Sequence, residues 1–359
     1  MWFFAFLVLP LAGLAYALWH VYTLLPLANC WRWTVVALCV AAFMMIFLNF
    51  SRTIDRMPLP VARVVYEVGN SAIFVLLYAV MIFIVLDLGR LVHLVPRTWL
   101  VGNGITSAAI ALLLVAIFAY GNINYRHKRR IPLHVSTAKH LDKPKTIVLL
   151  SDLHLGYHNR RHELARWVDL INAEKPDLVL IGGDIIDISV RPLLAENMAE
   201  ELRRLNAPVF ACLGNHEYYS GDVAAEKFYR DAHITLLRDS SAVAQGLCII
   251  GRDDATNRRR QPIARIMPTQ AHNLFTILLD HQPHNLAQAE RAGIDFQFSG
   301  HTHRGQVWPV SWITDAMYEC SWGSHRRGNT QYYVSSGMGI WGAKFRIGTQ
   351  SEYVVLTVE

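Results

Sequence analysis

Five short apolar runs in the C-terminal two-thirds of the chain each end in a cluster containing Asp, His or Asn. The clusters lie at residues 151–154, 182–187, 214–217, 280–281 and 299–303. Short apolar runs bounded by glycine and polar residues are typical of buried β-strands. In open α/β folds, ligands bind beyond the carboxyl ends of such strands. The sequence therefore predicts an α/β domain in which five strand ends bring their polar side chains to one place.

The side chains at these strand ends are typical metal ligands. They are Asp152, His154, Asp184, Asn215, His281, His301 and His303. In an extended segment, residues i and i+2 point the same way, so we expect Asp152 and His154 to reach one ion together. Imidazole, carboxylate and amide ligands without a thiolate suit Mn, Fe or Zn rather than a structural cysteine–zinc site. Two such ions can clamp a phosphoryl oxygen and generate a hydroxide nucleophile.

Two further side chains in these clusters have a predicted role in proton transfer. His216 follows the proposed ligand Asn215 directly and has no ligand role of its own. It is therefore the natural proton donor to a leaving-group oxygen or to the phosphoryl oxygens. Asp187 is predicted to fix the tautomer of His216, as carboxylates do for imidazoles in other acid–base pairs.

The order of the five clusters resembles that of the calcineurin-like metallophosphoesterases, and most closely their bacterial branch with an N-terminal membrane segment. The similarity covers about residues 145–359. It implies two stacked mixed β-sheets flanked by helices, a dinuclear metal centre, and His216 as the catalytic histidine with Asp187 as its partner. The implied ligands of one ion are Asp152, His154 and His303, those of the other are Asn215, His281 and His301, and Asp184 bridges the two.

The chain departs from that branch at two positions. Arg304 stands where the branch usually has a second glycine after the last histidine, and it either contacts a substrate phosphate or headgroup or is a solvated loop residue. Asp280 stands where Ser or Asn often precedes the single histidine, and it either supports His281 or ends the strand. Neither change removes a ligand, so the departures bear on substrate choice rather than on activity.

Tryptophans are concentrated after the last cluster. They are Trp308, Trp312, Trp322 and Trp341. Ordinary core packing is the simpler interpretation, and an apolar acyl-chain groove or a membrane-facing collar is the alternative.

The first third of the chain contains four apolar stretches, at residues 2–19, 34–50, 71–88 and 98–120. A helix of about 20 mostly apolar residues spans the hydrocarbon core of a bilayer. Buried helices of a soluble protein would show a polar face, but residues 1–125 hold only six arginines, two aspartates, one glutamate and no lysine. We therefore predict four transmembrane helices within residues 1–125.

The rest of the chain is predicted to contain two further parts. Residues 126–144, which are basic and contain Pro132 and Pro144, are predicted to form a juxtamembrane linker. Residues 145–359 are predicted to form the metallophosphoesterase catalytic domain.

The cation count of the loops predicts the orientation in the membrane. The loop 51–70 contains three arginines, and residues 126–130 contain three arginines and one lysine. The other two loops contain one and two arginines, so the richer pair is predicted to face the cytoplasm. This orientation places the catalytic domain on the cytoplasmic side of a bacterial-type inner membrane, as part of a multi-pass protein.

Charge and cysteine usage argue against several classes of protein. The net charge is +6 and the pI is about 9.1, but no long basic stripe is interleaved with aromatic residues, which argues against nucleic-acid binding. Basic runs next to a membrane usually set topology or contact anionic lipid. The five cysteines are odd in number and form no CxxC motif, which argues against a disulfide framework and a cysteine zinc site.

The sequence thus predicts a membrane-anchored phosphoesterase with two divalent ions, of Mn, Fe or Zn. Its substrate would be a phosphodiester, a pyrophosphate or a phosphomonoester, and a lipid-linked one fits the predicted location. One alternative is a non-catalytic membrane scaffold with the same fold. Another is a phosphatase that acts on soluble nucleotides or phosphoproteins. The native metal pair and the oligomeric state stay open.

Overall fold

The computed structural model describes the backbone of residues 2–359 and the side chains of residues 8–359 except Gln270. It divides into two compact units, Met1–Gly121 and Asn122–Glu359. The helices of the first unit are α1 (Trp2–Leu24), α2 (Asn29–Phe50), α3 (Leu59–Leu91) and α4 (Gly104–Arg126), the last of which continues into the second unit.

Among the described residues, α2, α3 and α4 are the three helices long and apolar enough to cross a membrane. We predicted four such helices. The first predicted stretch lies in α1. The part of α1 whose side chains are described, Val8–Leu24, is apolar but shorter than the roughly 20 residues that span a bilayer. The helix α3 begins at Leu59, so the predicted loop 51–70 is shorter than we expected, and Arg63 lies within the helix.

The second unit alternates strands and helices. Its strands are β1 (Lys128–Val135), β2 (Lys145–Leu150), β3 (Leu178–Ile181), β4 (Val209–Ala211), β5 (Thr235–Leu236), β6 (Ser240–Ala244), β7 (Leu247–Gly251), β8 (Phe275–Leu279), β9 (Phe296–Ser299), β10 (Gly323–Arg327), β11 (Thr330–Val334) and β12 (Ser351–Val358). Its remaining helices are α5 (Arg161–Ala173), α6 (Arg191–Ala195), α7 (Met198–Leu202), α8 (Asn215–Ser220), α9 (Asp222–Asp231), α10 (Ile263–Ile266), α11 (Ala287–Arg291) and α12 (Val310–Met317).

These strands form two mixed sheets flanked by helices, as predicted. The first has the order β1-β12-β2-β3-β4-β5, and the second has the order β10-β11-β9-β8-β7-β6. The strands β2 to β5 are parallel to one another, and so are β7, β8, β9 and β11. Within each sheet the carboxyl ends of these parallel strands therefore meet at one edge.

Alternation of side chains along β2 separates the layers of the unit. Ile147 and Leu149 belong to a buried cluster with residues of the second sheet. Val148 and Leu150 point the other way and pack with residues of α5 such as Leu164. Both faces of the strand are buried, which is why its sequence is a continuous apolar run rather than an alternating one.

The predicted linker 126–144 is wrong over its first half, because β1 lies within it. Each residue of β1 is registered in parallel with a residue of β12, from Lys128 opposite Ser351 to Val135 opposite Val358. An edge strand can have charged and proline residues because one of its sides does not pair. The basic residues and Pro132 therefore hid a strand that belongs to the second unit.

Candidate metal centre

Each predicted ligand lies in the segment that follows the carboxyl end of a parallel strand. Asp152 and His154 follow β2, Asp184 follows β3, Asn215 begins α8 after β4, His281 follows β8, and His301 and His303 follow β9. The two sheets thus both contribute to one site, as the positions of the clusters predict.

The ligand loops adopt a left-handed backbone at several residues other than glycine. The φ angle is 55° at Asp152, 45° at His154 and 53° at Asp184, and it is 72° at His301 and 48° at His303. Such conformations cost on the order of 1–3 kcal/mol each and persist only where the surrounding structure holds them. The backbone N–H of His154, for example, donates to the carbonyl of Asp184 at 3.0 Å. The extended geometry that we predicted for Asp152 and His154 is therefore wrong, although both side chains reach the same site.

One group of ligand atoms surrounds the imidazole of His154. Its Nε2 lies 3.8 Å from Asp152 Oδ1 and 3.0 Å from His303 Nε2. His303 Nε2 in turn lies 3.5 Å from Asp152 Oδ1. Asp184 Oδ2 closes the group, 3.6 Å from His154 Nε2. Asp152, His154 and Asp184 are buried and the side chain of His303 is 12% exposed, so the four ligand atoms face one another largely out of contact with solvent.

A second group forms on the other side of the Asp184 carboxylate. Asp184 Oδ2 lies 3.2 Å from His281 Nε2. Asn215 Oδ1 lies 3.2 Å from His281 Nε2 and 2.8 Å from His301 Nδ1. His281 Nδ1 lies 2.7 Å from the carbonyl oxygen of Gly182, which fixes Nδ1 as the donor. Burial alone would lower the pKa of His281, but the carboxylate of Asp184 raises it well above its usual value, so Nε2 must lose a proton when a cation binds.

The separations within the two groups run from 2.8 to 3.8 Å, close to those of a coordination sphere. Ligand atoms about 2.1 Å from an ion in tetrahedral or octahedral geometry lie about 3.0–3.4 Å from one another. Burial lowers the pKa of His301 to about 4 and also lowers the pKa of His303, so both rings offer a lone pair at neutral pH. Burial alone would lower the pKa of His154, but hydrogen bonds to Asp152 and Asp187 raise it to about 10. A proton must therefore leave His154 when a cation binds.

His216 lies at the edge of this centre, in the first turn of α8. Its backbone N–H donates to Asp184 Oδ1 at 2.9 Å, and its ring Nδ1 lies 3.3 Å from Asp187 Oδ1. The same Asp187 oxygen is 3.2 Å from His154 Nδ1, so this carboxylate orients a proposed ligand and the proposed proton donor together. Burial alone would raise the pKa of Asp187, but the hydrogen bonds with His154 and His216 hold it well below its usual value.

The surroundings of His216 also allow a second role. A ligand atom of His216 lies within 4.8 Å of ligand atoms of His154 and Asp184, which makes the three a further possible metal group. The structure places His216 and Asp187 where the sequence predicted them. Metal analysis of a His216 variant distinguishes these two roles, proton donor and metal ligand.

Glu217 is a residue whose role the sequence did not reveal. Its buried carboxylate accepts the backbone N–H of Gly214 at 2.7 Å and that of Asp184 at 3.1 Å through Oε2, and that of Ile186 at 2.9 Å through Oε1. A Cβ atom at Gly214 would overlap Asp184 Oδ1, so the two loops are in close contact. Glu217 therefore holds together the loops that follow β3 and β4. Its only sequence signal was its place in the same cluster as Asn215.

Glu217→Ala is expected to destabilise the protein strongly. It leaves three buried N–H donors without their acceptor, and each such donor costs about 1–3 kcal/mol. The expected loss of at least about 3 kcal/mol corresponds to a fall in Tm of about 6–12 °C. Thermal unfolding of the detergent-purified full-length protein measures this fall.

The exposed Glu200 provides the matched control for this measurement. Its carboxylate pairs with Arg161 at the surface. Surface substitutions of this kind change stability by about 0.5 kcal/mol or less. A Tm for Glu217→Ala equal to that of Glu200→Ala would contradict the role assigned to Glu217.

A second set of supporting residues comes from distant parts of the unit. The fully buried Arg346 donates from Nη1 to the carbonyl of His303 at 2.7 Å and from Nη2 to that of Gly339 at 3.2 Å. Asn159 Nδ2 donates to the carbonyl of His154 at 3.1 Å, and Tyr125 Oη donates to Asn159 Oδ1 at 2.6 Å. These contacts fix the loops of two proposed ligands, and those of Arg346 with His303 and of Tyr125 with Asn159 join residues too far apart in the chain for a local pattern to show them.

The two positions that depart from the family pattern have different surroundings. The guanidinium of Arg304 lies over the ring of Trp322, 4.1 Å from its centroid, on a residue with a left-handed backbone. Arg304 is therefore packed rather than loosely solvated, and its contact with substrate stays a prediction. Asp280 pairs with Arg252 at 3.2 Å and with Arg260 at 2.9 Å, so the structure shows it binding arginines rather than supporting His281.

The tryptophans after the last cluster do not form a common core. Trp312 is strongly exposed and Trp308 is also exposed, whereas Trp322 is packed under Arg304 and donates from Nε1 to the carboxylate of Glu352 at 3.1 Å. The simpler interpretation, ordinary core packing, is therefore wrong for the first two tryptophans.

Comparison with known proteins gives a consistent result. Residues 145–305 match the family described as calcineurin-like phosphoesterase. A metallophosphoesterase of Campylobacter jejuni is 30% identical over 260 residues, which cover 70% of this chain and 69% of that protein. A Danio rerio protein named as a transmembrane protein with metallophosphoesterase domain is 30% identical over 354 residues, which cover 90% of this chain and 79% of that protein.

A metallophosphoesterase of Helicobacter pylori (strain J99) is also similar. It is 32% identical over 222 residues, which make up 60% of each protein. The chain thus spans about three-fifths of the length of that relative.

Proposed function

Because the chain belongs to the calcineurin-like phosphoesterase family, we propose that it is a membrane-anchored, metal-dependent hydrolase with two divalent ions. One observation carries this proposal: the predicted ligand atoms form two largely buried groups that share the carboxylate of Asp184. When bound, two divalent ions would neutralise charge on a phosphoryl group and supply a hydroxide nucleophile at neutral pH.

The protein residues around the ions would hold the substrate and move a proton. His216 is positioned by Asp187 through Nδ1, so its Nε2 would donate a proton to the leaving-group oxygen or bind a phosphoryl oxygen. Arg304 directly follows His303 in the chain and would bind a charged group of the substrate. The ring of Trp322 holds the Arg304 guanidinium in place. This arrangement suits a phosphodiester, a pyrophosphate or a phosphomonoester.

The membrane helices support a substrate that is presented at a lipid surface. The helix α4 ends at Arg126 and β1 begins at Lys128, so the hydrolase unit follows the last membrane-type helix almost without a spacer. We place the hydrolase unit on the cytoplasmic side of a bacterial-type inner membrane, because basic residues are concentrated at this junction.

Metal removal and readdition test the proposal. The detergent-purified full-length protein is expected to hydrolyse bis(p-nitrophenyl) phosphate with Mn²⁺, to lose this activity on chelation, and to regain it with Mn²⁺, Fe²⁺ or Zn²⁺. Metal analysis of the same samples is expected to show two ions per chain. Two bound ions without hydrolysis would indicate a narrow substrate requirement. The absence of both hydrolysis and bound metal would contradict the proposal and favour a scaffold.

A further inference from the structure

The helix α12 exposes a cluster of large apolar side chains to solvent. Trp312 is 64% exposed, Ile313 is 58% exposed and Met317 is 70% exposed. The exposed ring of Trp308, just before the helix, lies 5.4 Å from the ring of Trp312 in an edge-to-face contact. The spacing of Trp312, Ile313 and Met317 places these three toward one side of the helix, and Trp308 joins them through its contact with Trp312. We call Trp308, Trp312, Ile313 and Met317 the α12 patch.

This cluster differs from the other exposed apolar residues of the unit. Among the described residues, the others lie on different elements and are Ile123, Leu170, Leu194, Tyr219, Val223 and Val243. Single exposed apolar side chains are normal, whereas a contiguous group marks a contact with a protein, a ligand or a membrane. Tryptophan beside aliphatic residues on an amphipathic helix is typical of the interface between lipid headgroups and acyl chains.

Contacts within the second unit connect the patch to the end of α4. Asn124, in the last turn of α4, donates from Nδ2 to the carbonyls of Arg346 and Thr349 at 2.9 and 2.8 Å. Between these two acceptors, Ile347 accepts the backbone N–H of Trp308 at 2.7 Å. The segment 346–349 therefore contacts both the last turn of α4 and Trp308, the first residue of the patch. The patch lies next to the point where the chain enters this unit from α4.

The same junction carries exposed positive charge. Arg126, His127 and Arg129 are exposed at the end of α4 and the beginning of β1. The guanidinium of Arg129 donates to Gln350 at 2.8 Å, directly after the segment that holds Trp308. Cations beside a membrane attract anionic lipid headgroups. Apolar side chains beside cations match an anionic lipid surface, which offers both acyl chains and negative headgroups. An acidic protein would pair with the cations but leave the apolar side chains exposed.

We propose that the α12 patch inserts into the headgroup region of the bilayer that α2, α3 and α4 cross. Docking there would hold the metal centre at the lipid surface, because the chain leads from that centre into the patch and returns to it after the patch. His303 precedes it, and Tyr318 follows it with its ring 6.3 Å from that of His301. This inference rests on the proposed function: a metal centre held at the lipid surface reaches phosphoesters whose lipid part stays in the membrane.

Photocrosslinking to lipid tests the docking without any measurement of activity. The photoreactive residue p-benzoyl-phenylalanine is placed at position 312 of the full-length protein, in nanodiscs of phosphatidylcholine and phosphatidylglycerol. After illumination, mass spectrometry of the peptide that contains position 312 is expected to show a lipid adduct. The matched negative control is position 223 on α9, where Val223 is 75% exposed. The positive control is position 112 on α4, where Leu112 is 70% exposed.

The expected result is an adduct yield at position 312 that approaches that at position 112 and exceeds that at position 223 several-fold. A yield at position 312 no higher than that at position 223 would overturn the proposal. A second measurement uses Ile313→Asp, an exposed substitution that leaves the fold intact. It is expected to lower the adduct yield at position 312 several-fold, and an unchanged yield would also count against insertion. Neither outcome depends on whether the protein is a hydrolase, so failure of docking and failure of the proposed function are distinguishable.

Discussion

Asp184→Asn is expected to reduce bound metal from two ions per chain to one or none and to lower metal-dependent hydrolysis by at least about 1,000-fold. The carboxylate oxygen Oδ2 of Asp184 lies 3.6 Å from His154 Nε2 and 3.2 Å from His281 Nε2, so it faces both ligand groups. An amide at this position has no negative charge to share between two cations. Metal analysis and the hydrolysis rate of the same preparation measure the two effects.

The substitution is suited to this test because it preserves shape. Asp184 Oδ1 accepts the backbone N–H of His216 at 2.9 Å, and the amide oxygen of asparagine can accept the same bond. The backbone of the site should therefore stay in place while the charge is lost. Asp169→Asn is the matched control, since Asp169 pairs with Arg204 at the surface. An Asp184→Asn protein that keeps two ions and the unsubstituted rate would refute the shared-carboxylate arrangement.

The sequence predicts which strands precede the five polar clusters because the relevant signals are local. A buried strand is a short apolar run, and its end is marked by glycine and polar residues. The apolar run 275–279, which precedes the cluster 280–281, is β8 itself, and the apolar runs before the other four clusters agree with β2, β3, β4 and β9 to within two residues at each end. The two-sheet fold is implied by the family resemblance, and the meeting of the predicted ligands follows from parallel strands whose carboxyl ends share an edge.

The local conformation of the ligands could not be predicted in the same way. Asp152 and His154 have positive φ angles because their N–H groups bond to the carbonyls of Gly183 and Asp184, about 30 residues later in the chain. A spacing of two residues is equally compatible with an extended segment, so the sequence alone predicted the wrong backbone geometry for residues that the structure does bring together. The support from Glu217 and Arg346 is likewise a property of the folded chain.

Charge pattern misled the prediction at β1 and left the role of Asp280 open, for related reasons. The strand β1 is basic and contains Pro132, and its partner β12 lies more than 200 residues away, so a local reading predicts a linker. Asp280 directly precedes a proposed ligand, His281. Its two carboxylate oxygens pair with Arg252 and Arg260, which lie in an earlier loop of the chain. A side chain's neighbours in sequence indicate its strand, whereas its ion-pair partner depends on tertiary packing.

His216→Ala is expected to lower the hydrolysis rate by about 100- to 10,000-fold, the usual contribution of a positioned proton donor. Asp187 Oδ1 lies 3.3 Å from Nδ1 of His216, which leaves Nε2 for the leaving-group oxygen. We expect two ions to remain bound, because Asp152, His154 and His303 complete one group without His216. Loss of an ion in this variant would instead assign His216 to the third possible metal group.

The identity of the leaving group decides what His216 does with its proton. A nitrophenolate leaves readily without protonation, whereas an alkoxide needs a proton as the P–O bond breaks. If His216 is the donor, His216→Ala should affect a methyl or glyceryl ester much more than the nitrophenyl ester of the same phosphate. Rates that fall equally for both would show that His216 stabilises the phosphoryl oxygens instead, because that interaction is independent of the leaving group. Unchanged rates on both would remove His216 from the reaction altogether.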